Sequence, residues 1–299
     1  MEKILPIADA HVHFWDLEHN RYPWLEPAEP TGPFGQTAAI RKTYLLDDYR
    51  ADTTGQNVIR MVHVEAGWDR TDALGEMRWI QSVADREGAP HAHVAHIDLA
   101  SEDAASLIKE HNAFPLFRGV RDRLQDGDFT RSDGSGTRID DPAWLAGMRA
   151  LDAAGLCFDL QCPPTLVEKA CALTKRFEGV TFVLTHAGYP PAQEGDHFGR
   201  WRDGLASLAE RPNTVVKLSG VMLAEKAWQP RHAQRTAGVL LELFGADRVL
   251  VASNSPVDRL FAPISALFDS YRHWISQLSE ADQAKILCGN TCRIYRMEA

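Results

Sequence analysis

Apolar residues recur along the chain in short, β-branched runs that alternate with longer amphipathic stretches. The eight runs are "PIADAHVHF", "NVIRMVHVEA", "HAHVAHIDL", "LFRGVRDRL", "LCFDLQC", "VTFVLTHAG", "NTVVKLSG" and "RVLVASNSP". Runs of this length and composition are typical of buried strands, and their alternation with helices indicates parallel pairing. Eight repeats of this unit predict an α/β fold, a (β/α)8 TIM barrel.

Amphipathic stretches of helical length follow most of these runs. They are "DALGEMRWIQSVADREG", "SEDAASLIKEHNAF", "DPAWLAGMRALDAAG", "PTLVEKACALTKRFEG", "WRDGLASLAER" and "RHAQRTAGVLLELFG". Their ends carry residues that commonly cap helices: Ser101, Asp141, Gly155, Gly179 and Gly245. An open, doubly wound sheet is the structural alternative. It normally has a glycine-rich phosphate turn after its first strand, where this chain has His, Phe and Trp instead.

Two connections are long enough to predict functional loops. Residues 14–50 follow the first strand and residues 124–141 follow the fourth. In a barrel, loops after strands lie at the C-terminal mouth, where substrates bind. Aromatic residues of the first loop are candidates to cap a site, with packing over the barrel edge as the alternative: Trp15, Tyr22, Trp24 and Phe34. No linker or repeat divides the chain, so one domain over residues 1–299 is expected.

Composition excludes several classes of partner. The 299 residues carry a net charge of −9 without a compensating basic cluster, which argues against nucleic acid and anionic membranes as partners. The five cysteines form no C-x-x-C pair, and an odd number argues against a disulfide framework. The N-terminus lacks the apolar core of a secretory signal, and no run of about 18 apolar residues is present. A cytoplasmic protein with a small-molecule substrate is expected.

Polar residues cluster where the predicted strands end. Asp9, His11 and His13 alternate with apolar residues on the first strand, so their side chains are expected on one face. Later strands end in further polar residues: His63, Glu65, His96, Asp98, Arg118, Arg121, Arg123, Gln161, His186, Lys217 and Asn254. Because strand ends converge at a barrel mouth, these side chains predict a pocket rather than a half-solvated strand.

Several motifs carry a resemblance to a known superfamily. "DAHVHFWD", "FVLTHAG", "VASNSPVDRL" and "GNTCRIYRM" resemble the amidohydrolase superfamily. "YPWL", "VHVEA", "FRGVRDRL" and "VVKLSGV" resemble its amidohydrolase-2 branch of sugar-lactone and dicarboxylate-lactone hydrolases. The resemblance covers nearly the whole chain and implies the same barrel as the strand count.

The resemblance implies roles for particular residues. His11 and His13 match the histidine pair of strand one, and His186 matches the histidine of strand six. Such imidazoles bind zinc or donate hydrogen bonds to a substrate carbonyl. Arg121 matches an arginine that meets substrate carboxylates or hydroxyls. By their own chemistry, Arg121 and Lys217 are expected to bind anionic or hydroxylated substrate groups, because Arg offers a planar fork and Lys a point charge. Glu65 and Trp24 are further substrate-binding candidates.

The chain departs from the family pattern on strand eight. Relatives place an aspartate there as general base, whereas this chain has Asn254, which cannot ionise. Strand five also lacks a histidine. These changes imply no cofactor, or one weakly bound divalent cation held by His11, His13 and His186, with zinc the first choice. The base remains open between His186, Glu65 and Asp258. Glu65 is equally well explained as a structural ion-pair partner of Arg121 or Lys217, and Asp258 is better explained as a helix cap.

The expected function is a hydrolase of a small lactone or cyclic ester, either a sugar lactone or a carboxylated one. Water attacks a carbonyl polarised by His11, His13 and His186, with Asn254 completing the set. A decarboxylase of the same superfamily and a non-catalytic ligand-binding barrel are the alternatives, and a homo-oligomer is compatible with each.

Overall fold

Eight parallel strands form the centre of the structure, a computed structural model that describes residues 4–26, 37–122, 124, 138–192, 195–224 and 226–298. They pair in sequence order from first to eighth. The strands are β1 (Ile7–Val12), β2 (Val58–Val64), β3 (Ala92–Ala95), β4 (Phe117–Val120), β5 (Cys157–Leu160), β6 (Phe182–Leu184), β7 (Thr214–Leu218) and β8 (Val249–Val251). Each lies inside a run predicted to be a strand, and the (β/α)8 barrel is confirmed. Phe34 and Arg123 lie outside the described residues.

Helices surround this barrel. They are α1 (Leu46–Asp52), α2 (Gly75–Glu87), α3 (Ala104–His111), α4 (Pro142–Ala153), α5 (Val167–Arg176), α6 (Asp196–Ala209), α7 (Pro230–Phe244), α8 (Ile264–Ile275), α9 (Glu280–Ala284) and α10 (Asn290–Ile294). Short 3-10 turns include His186–Gly188 and Val257–Leu260. The six predicted helices correspond to α2 to α7. The sequence patterns did not identify α1, α8, α9 or α10.

Three of the five predicted caps are confirmed. The Asp141 carboxylate accepts a hydrogen bond from the Ala143 N–H at 2.9 Å, at the start of α4. Gly155 and Gly245 follow helices with φ of 65° and 68°, a conformation that favours glycine. The other two predictions are wrong. Asp103 is the N-cap of α3, while the Ser101 hydroxyl accepts a hydrogen bond from the Asp103 N–H, at 3.2 Å. Helix α5 ends at Arg176 with Phe177 as its C-cap, before Gly179.

Hydrogen bonds between the end of β1 and the segment that follows β8 close the ring. The His13 N–H donates to the Ser255 carbonyl at 2.7 Å, and the Asn254 N–H donates to the His11 carbonyl at 2.9 Å. These bonds join backbone segments that are more than two hundred residues apart in sequence. Closure therefore places Asn254 next to both histidines of strand one.

The barrel interior is packed rather than hollow. Small and β-branched residues from strands around the ring form one cluster, which includes Ala10, Val62, Val94, Val183 and Val215. Tyr295, just after α10, joins this cluster and is fully buried at the end of the barrel where the strands begin. Gly119 of β4 lies directly against β5. A Cβ at this position would be 2.7 Å from the Cys157 carbonyl oxygen, so the two strands pack too closely here for a side chain.

Two further sequence expectations concern thiols and membranes. All five cysteines are free thiols, as the absence of a disulfide framework predicts. Within the described ranges, no helix is both long and apolar enough to cross a bilayer.

A glycine in α4 tests how closely this helix packs on the barrel. Replacing a helical glycine with alanine usually stabilises a protein by up to about 1 kcal/mol. A Cβ at Gly147, however, would overlap the Leu99 carbonyl oxygen and lie 2.8 Å from the Leu99 Cβ. We expect Gly147→Ala to lower the free energy of unfolding by about 2 kcal/mol, measured by urea denaturation. Gly238→Ala in α7, where no atom lies within 4 Å, is the matched control. Equal stability of both variants would contradict close packing at Gly147.

Candidate active site

A register shift in β1 brings two imidazoles together. Asp9 pairs with Met61 and Val12 pairs with His63, so one extra residue of β1 lies between them. This bulge interrupts the expected alternation. The Nε2 atoms of His11 and His13 lie 3.1 Å apart, and His13 Nδ1 lies 2.8 Å from the Val64 carbonyl oxygen.

Asp9 does not share this face, which corrects the sequence expectation. Its fully buried carboxylate accepts hydrogen bonds from the Tyr49 hydroxyl at 2.7 Å and from the backbone N–H groups of His11 and Ser253. Asp9 therefore fixes the backbone of the bulge and leaves the His11 imidazole without a carboxylate partner.

His186 lies in a left-handed turn. Four successive residues have positive φ, between 51° and 66°: His186, Ala187, Gly188 and Tyr189. Only one of them is glycine, so this backbone costs free energy that surrounding contacts must offset. The Trp201 indole N–H donates to the Ala187 carbonyl at 3.0 Å and anchors the turn.

The turn presses the His186 side chain against the end of β7. A Cβ at Gly220 would lie 2.7 Å from the His186 Cβ, so a residue without a side chain is required there. His186 Nδ1 lies 3.1 Å from the Ser219 hydroxyl, and its ring centroid lies 4.8 Å from that of His11. All three predicted histidines thus lie together.

Arg121 reaches this group from the end of β4. Its Nε and one terminal nitrogen, NH2, donate to a single oxygen of Glu65 at 3.0 and 2.8 Å, and NH2 also donates to the Glu65 carbonyl at 2.6 Å. The other terminal nitrogen, NH1, lies 3.4 Å from His11 Nε2. The Glu65 carboxylate is further occupied by Arg70 and the Gly67 N–H. Glu65 therefore orients Arg121, which was the ion-pair alternative for this residue.

Lys217 lies behind His11 instead of at the pocket surface. It is fully buried, its ammonium group donates to Asp159 at 2.6 Å, and its Nζ lies 3.4 Å from His11 Nδ1. The Tyr295 hydroxyl donates to the other oxygen of Asp159 at 2.8 Å. Because Asp159 and the His11 ring engage the ammonium group on the far side of His11, Lys217 contacts another site residue rather than facing a substrate, which corrects its expected role. Asp159 was missed, although a single acid in the apolar run "LCFDLQC" was the available signal.

Asn254 is held by a buried carboxylate. Its side-chain N–H donates to Asp258 at 2.7 Å, and the other Asp258 oxygen accepts the Gly220 N–H at 3.1 Å. Asp258 lies within a 3-10 turn and caps no helix, so the capping interpretation is wrong. Burial raises the pKa of Asp258 to about 7. The amide orientation that satisfies Asp258 directs the Asn254 oxygen away from this carboxylate.

The aromatic residues around the site divide into two groups. The Trp24 indole donates to the Ala66 carbonyl at 2.7 Å and packs edge-to-face on Trp15, whose ring lies 6.5 Å from that of His13. Trp24 thus packs on Trp15, which in turn lies beside His13. Tyr189, which the sequence patterns did not single out, lies 5.6 Å from the His186 ring and accepts a hydrogen bond from Gln161. Its position directly after "THAG" was the available signal.

Burial and positive charge keep the imidazoles neutral. Burial and Arg121 lower the pKa of His13 to about 3. Burial, Lys217 and the neighbouring histidines hold the pKa of His11 well below its usual value. Burial, Arg121 and Lys217 do the same for His186. At neutral pH these rings act as hydrogen-bond donors and acceptors without carrying charge, beside a permanently charged guanidinium.

Family comparison agrees with this geometry. The family model described as Amidohydrolase matches residues 8–297, nearly the whole chain. The chain belongs to the amidohydrolase family. Protein y4mH of Sinorhizobium fredii, described as uncharacterized, is 33% identical to this amidohydrolase over 299 residues, covering 98% of this chain and 99% of its own.

Two relatives have descriptions that bear on activity or metal content. An L-fucono-1,5-lactonase of Burkholderia ambifaria is 28% identical over 300 residues, covering 97% of this chain and 95% of its own. The crystal structure of an amidohydrolase from Burkholderia multivorans with bound zinc is 27% identical, with a TM-score of 0.81 over 98% of this chain and 100% of that one.

The side chains of this amidohydrolase do not fit a divalent cation. Among the residues that the structure describes, no group of three or more His, Cys, Asp or Glu side chains has a suitable arrangement. Both ring nitrogens of His11 face cationic side chains, Lys217 and Arg121, each at 3.4 Å. Within the described part of the chain, the nearby carboxylates are already engaged and do not offset that charge: Glu65 is paired with arginines, and Asp258 accepts from the Asn254 amide. No chemical step below is therefore derived through a metal.

This chemistry predicts weak metal binding. After dialysis against a chelator, we expect elemental analysis to find less than one equivalent of zinc per chain. The melting temperature should be the same with and without chelator, because a ligand stabilises a fold only to the extent that it binds. A sample loaded with excess zinc and desalted is the control. One full equivalent of zinc surviving the chelator would refute the prediction.

Proposed function

We propose that this amidohydrolase hydrolyses a small lactone or cyclic ester, a sugar lactone or a carboxylated one. The observation that carries the proposal is the 3.4 Å separation of Arg121 NH1 and His11 Nε2, with the His186 ring beside them. Two N–H donors so close together can share one oxygen atom. A carbonyl oxygen that gains negative charge during attack by water is such an atom.

In the proposed first step, a water molecule attacks the carbonyl carbon. The new carbon–oxygen bond pushes an electron pair onto the carbonyl oxygen, where Arg121 and His11 stabilise the charge. His186 Nε2 takes the proton from the water when Nδ1–H donates to Ser219. Asn254 orients the water through its side-chain oxygen, because its N–H is held by Asp258.

In the second step, the tetrahedral intermediate collapses. The carbonyl re-forms, the ring carbon–oxygen bond breaks, and the leaving alkoxide takes the proton from protonated His186. The lowered pKa of His186 favours this transfer, because its protonated ring is a stronger acid than an ordinary imidazolium. The sum is one water consumed and one hydroxy acid formed, which ionises in solution.

The relatives support this class of substrate. An L-fucono-1,5-lactonase aligns with nearly the whole chain, so a neutral sugar lactone is the first compound to test. The Arg121 charge is shared with Glu65, and this leaves one guanidinium nitrogen for a hydroxyl, a carbonyl or a carboxylate of the substrate. Carboxylated lactones are the second class to test.

A lactone panel with a pH indicator tests the proposal, with chelator present and absent. We expect acid release from at least one sugar or carboxylated lactone above the buffer rate. His186→Ala should lower kcat by about 10²–10⁴-fold, because it removes the proposed proton acceptor. His197→Ala, at an exposed histidine in α6, should leave the rate unchanged. Circular dichroism on both variants checks that the fold is intact.

Other outcomes favour the alternatives. Release of CO₂ from carboxylated substrates without lactone hydrolysis would support a decarboxylase. Binding of a lactone without turnover would support a non-catalytic barrel. Unchanged turnover in His186→Ala would remove His186 from the mechanism.

The pH profile separates two candidate bases. A base works in its unprotonated form, so the rate falls as pH drops through its pKa. The pKa of His186 lies well below its usual value of 6.5, and kcat/KM should therefore remain level as pH falls from about 8 to 6.5. An acid limb near pH 7 would instead identify Asp258, whose pKa is raised to about 7. The measurement is kcat/KM across this range, with spontaneous hydrolysis subtracted.

A further inference from the structure

A chain of buried hydrogen-bonding groups runs from the bottom of the barrel to the site. In order, it contains Tyr295, Asp159, Lys217, His11, His13 and the Val64 carbonyl. Successive atoms are separated by 2.8, 2.6, 3.4, 3.1 and 2.8 Å. The side chains of Asp159, Lys217 and His11 are fully buried, so no water replaces a missing partner at low cost.

The acceptor at one end of this chain fixes the direction of each bond. The Val64 carbonyl can only accept, so His13 Nδ1 carries a proton. At the other end, the Lys217 ammonium group can only donate, so His11 Nδ1 is the acceptor and the ring proton of His11 lies on Nε2. His11 Nε2–H therefore donates to His13 Nε2, which accepts through its lone pair. The two histidines are thereby assigned opposite tautomers.

The other tautomer of His11 satisfies fewer contacts. With the proton on Nδ1, His11 would face the Lys217 ammonium donor to donor at 3.4 Å, and its Nε2 lone pair would face that of His13 at 3.1 Å. Only the contact with Arg121 NH1 at 3.4 Å would improve. The tautomer with the proton on Nε2 satisfies two of the three contacts, including the shortest.

We propose that Lys217 is a positioning residue that holds His11 in the Nε2–H tautomer and so directs this N–H toward the substrate carbonyl. The inference rests on the proposed function for its catalytic consequence, but not for the tautomer itself. When a substrate carbonyl oxygen accepts the hydrogen bond from His11 Nε2–H, His13 Nε2 loses this donor. Its lone pair can then accept a hydrogen bond from another group in the site.

A purely structural role explains Lys217 less well. A buried ion pair costs so much desolvation that a well-packed apolar pair of similar size is often as stable or more stable. The neighbouring interior position of β7 is Val215, which shows that an apolar residue fits this layer. Asp159 is itself held from the opposite side by Tyr295, so the ammonium group is fixed at the distance that reaches His11.

Nitrogen NMR of the histidine rings tests the tautomers directly. In ¹⁵N-histidine-labelled protein without ligand, we expect His11 to be protonated on Nε2 alone and His13 on Nδ1 alone. His11→Gln and His13→Gln assign the two sets of resonances. The same tautomer at both residues would overturn the inference, whatever the enzyme hydrolyses.

Substitution of Lys217 tests its part in this arrangement. In Lys217→Met, the Nδ1 resonance of His11 should move, because it loses its donor. We expect kcat to fall by about 10²-fold with KM within about twofold, because Lys217 acts through His11 without touching substrate. Lys169→Met, at a partly exposed lysine of α5 paired with Asp140, is the control and should change neither value.

Two further variants guard against misfolding. Lys217→Met with Asp159→Asn removes both charges and leaves no unpaired buried carboxylate. Tyr295→Phe keeps the ring and removes only the hydroxyl, so it should give a smaller change in the same direction. Unchanged His11 resonances in every folded variant would overturn the role of Lys217, as would a raised KM with unchanged kcat. If no lactone is hydrolysed but the tautomers are as expected, the proposed function fails and the positioning role stands.

Discussion

Closure of the barrel is the constraint on which the rest of the structure depends. Two backbone hydrogen bonds join β1 to the segment after β8, and both use residues of the site: His11 with Asn254, and His13 with Ser255. The bonds that complete the ring also set the spacing between the imidazoles and the strand-eight amide. Because backbone bonds hold this spacing, side chains at these positions can change without moving the frame around them.

Charge shapes the interior of the site as strongly as backbone geometry does. Arg121 and Lys217 approach His11 from opposite ring nitrogens, and each is balanced by an acid on its far side, Glu65 or Asp159. The imidazoles between them stay neutral because protonation would add a third positive charge in a buried space. A neutral imidazole beside fixed cations can donate a hydrogen bond to a substrate oxygen and polarise it without transferring its proton. This arrangement favours hydrogen-bond chemistry over metal ligation.

The sequence predicted the frame better than the details. Strand runs with β-branched residues appear directly in the pattern of apolar positions, so all eight strands were found and the three histidines were expected to converge. Side-chain partners were harder to predict from the sequence. A bulge in β1 places the Asp9 side chain on the opposite face from the one that strict alternation predicts, and residue spacing does not reveal a bulge. From the sequence alone, Lys217 is a reasonable substrate contact and Asp258 a reasonable helix cap. Their actual partners, Asp159 and Asn254, are known only from the folded structure.

The left-handed turn at residues 186–189 links function to the completeness of folding. Its backbone is unfavourable for an isolated peptide and persists only while Trp201 of α6 and the end of β7 hold it. A partly folded chain can therefore contain most of its helices and strands and still present no imidazole at this place. Selection for turnover would then act on distant packing residues that never meet a ligand, because they decide whether the turn exists.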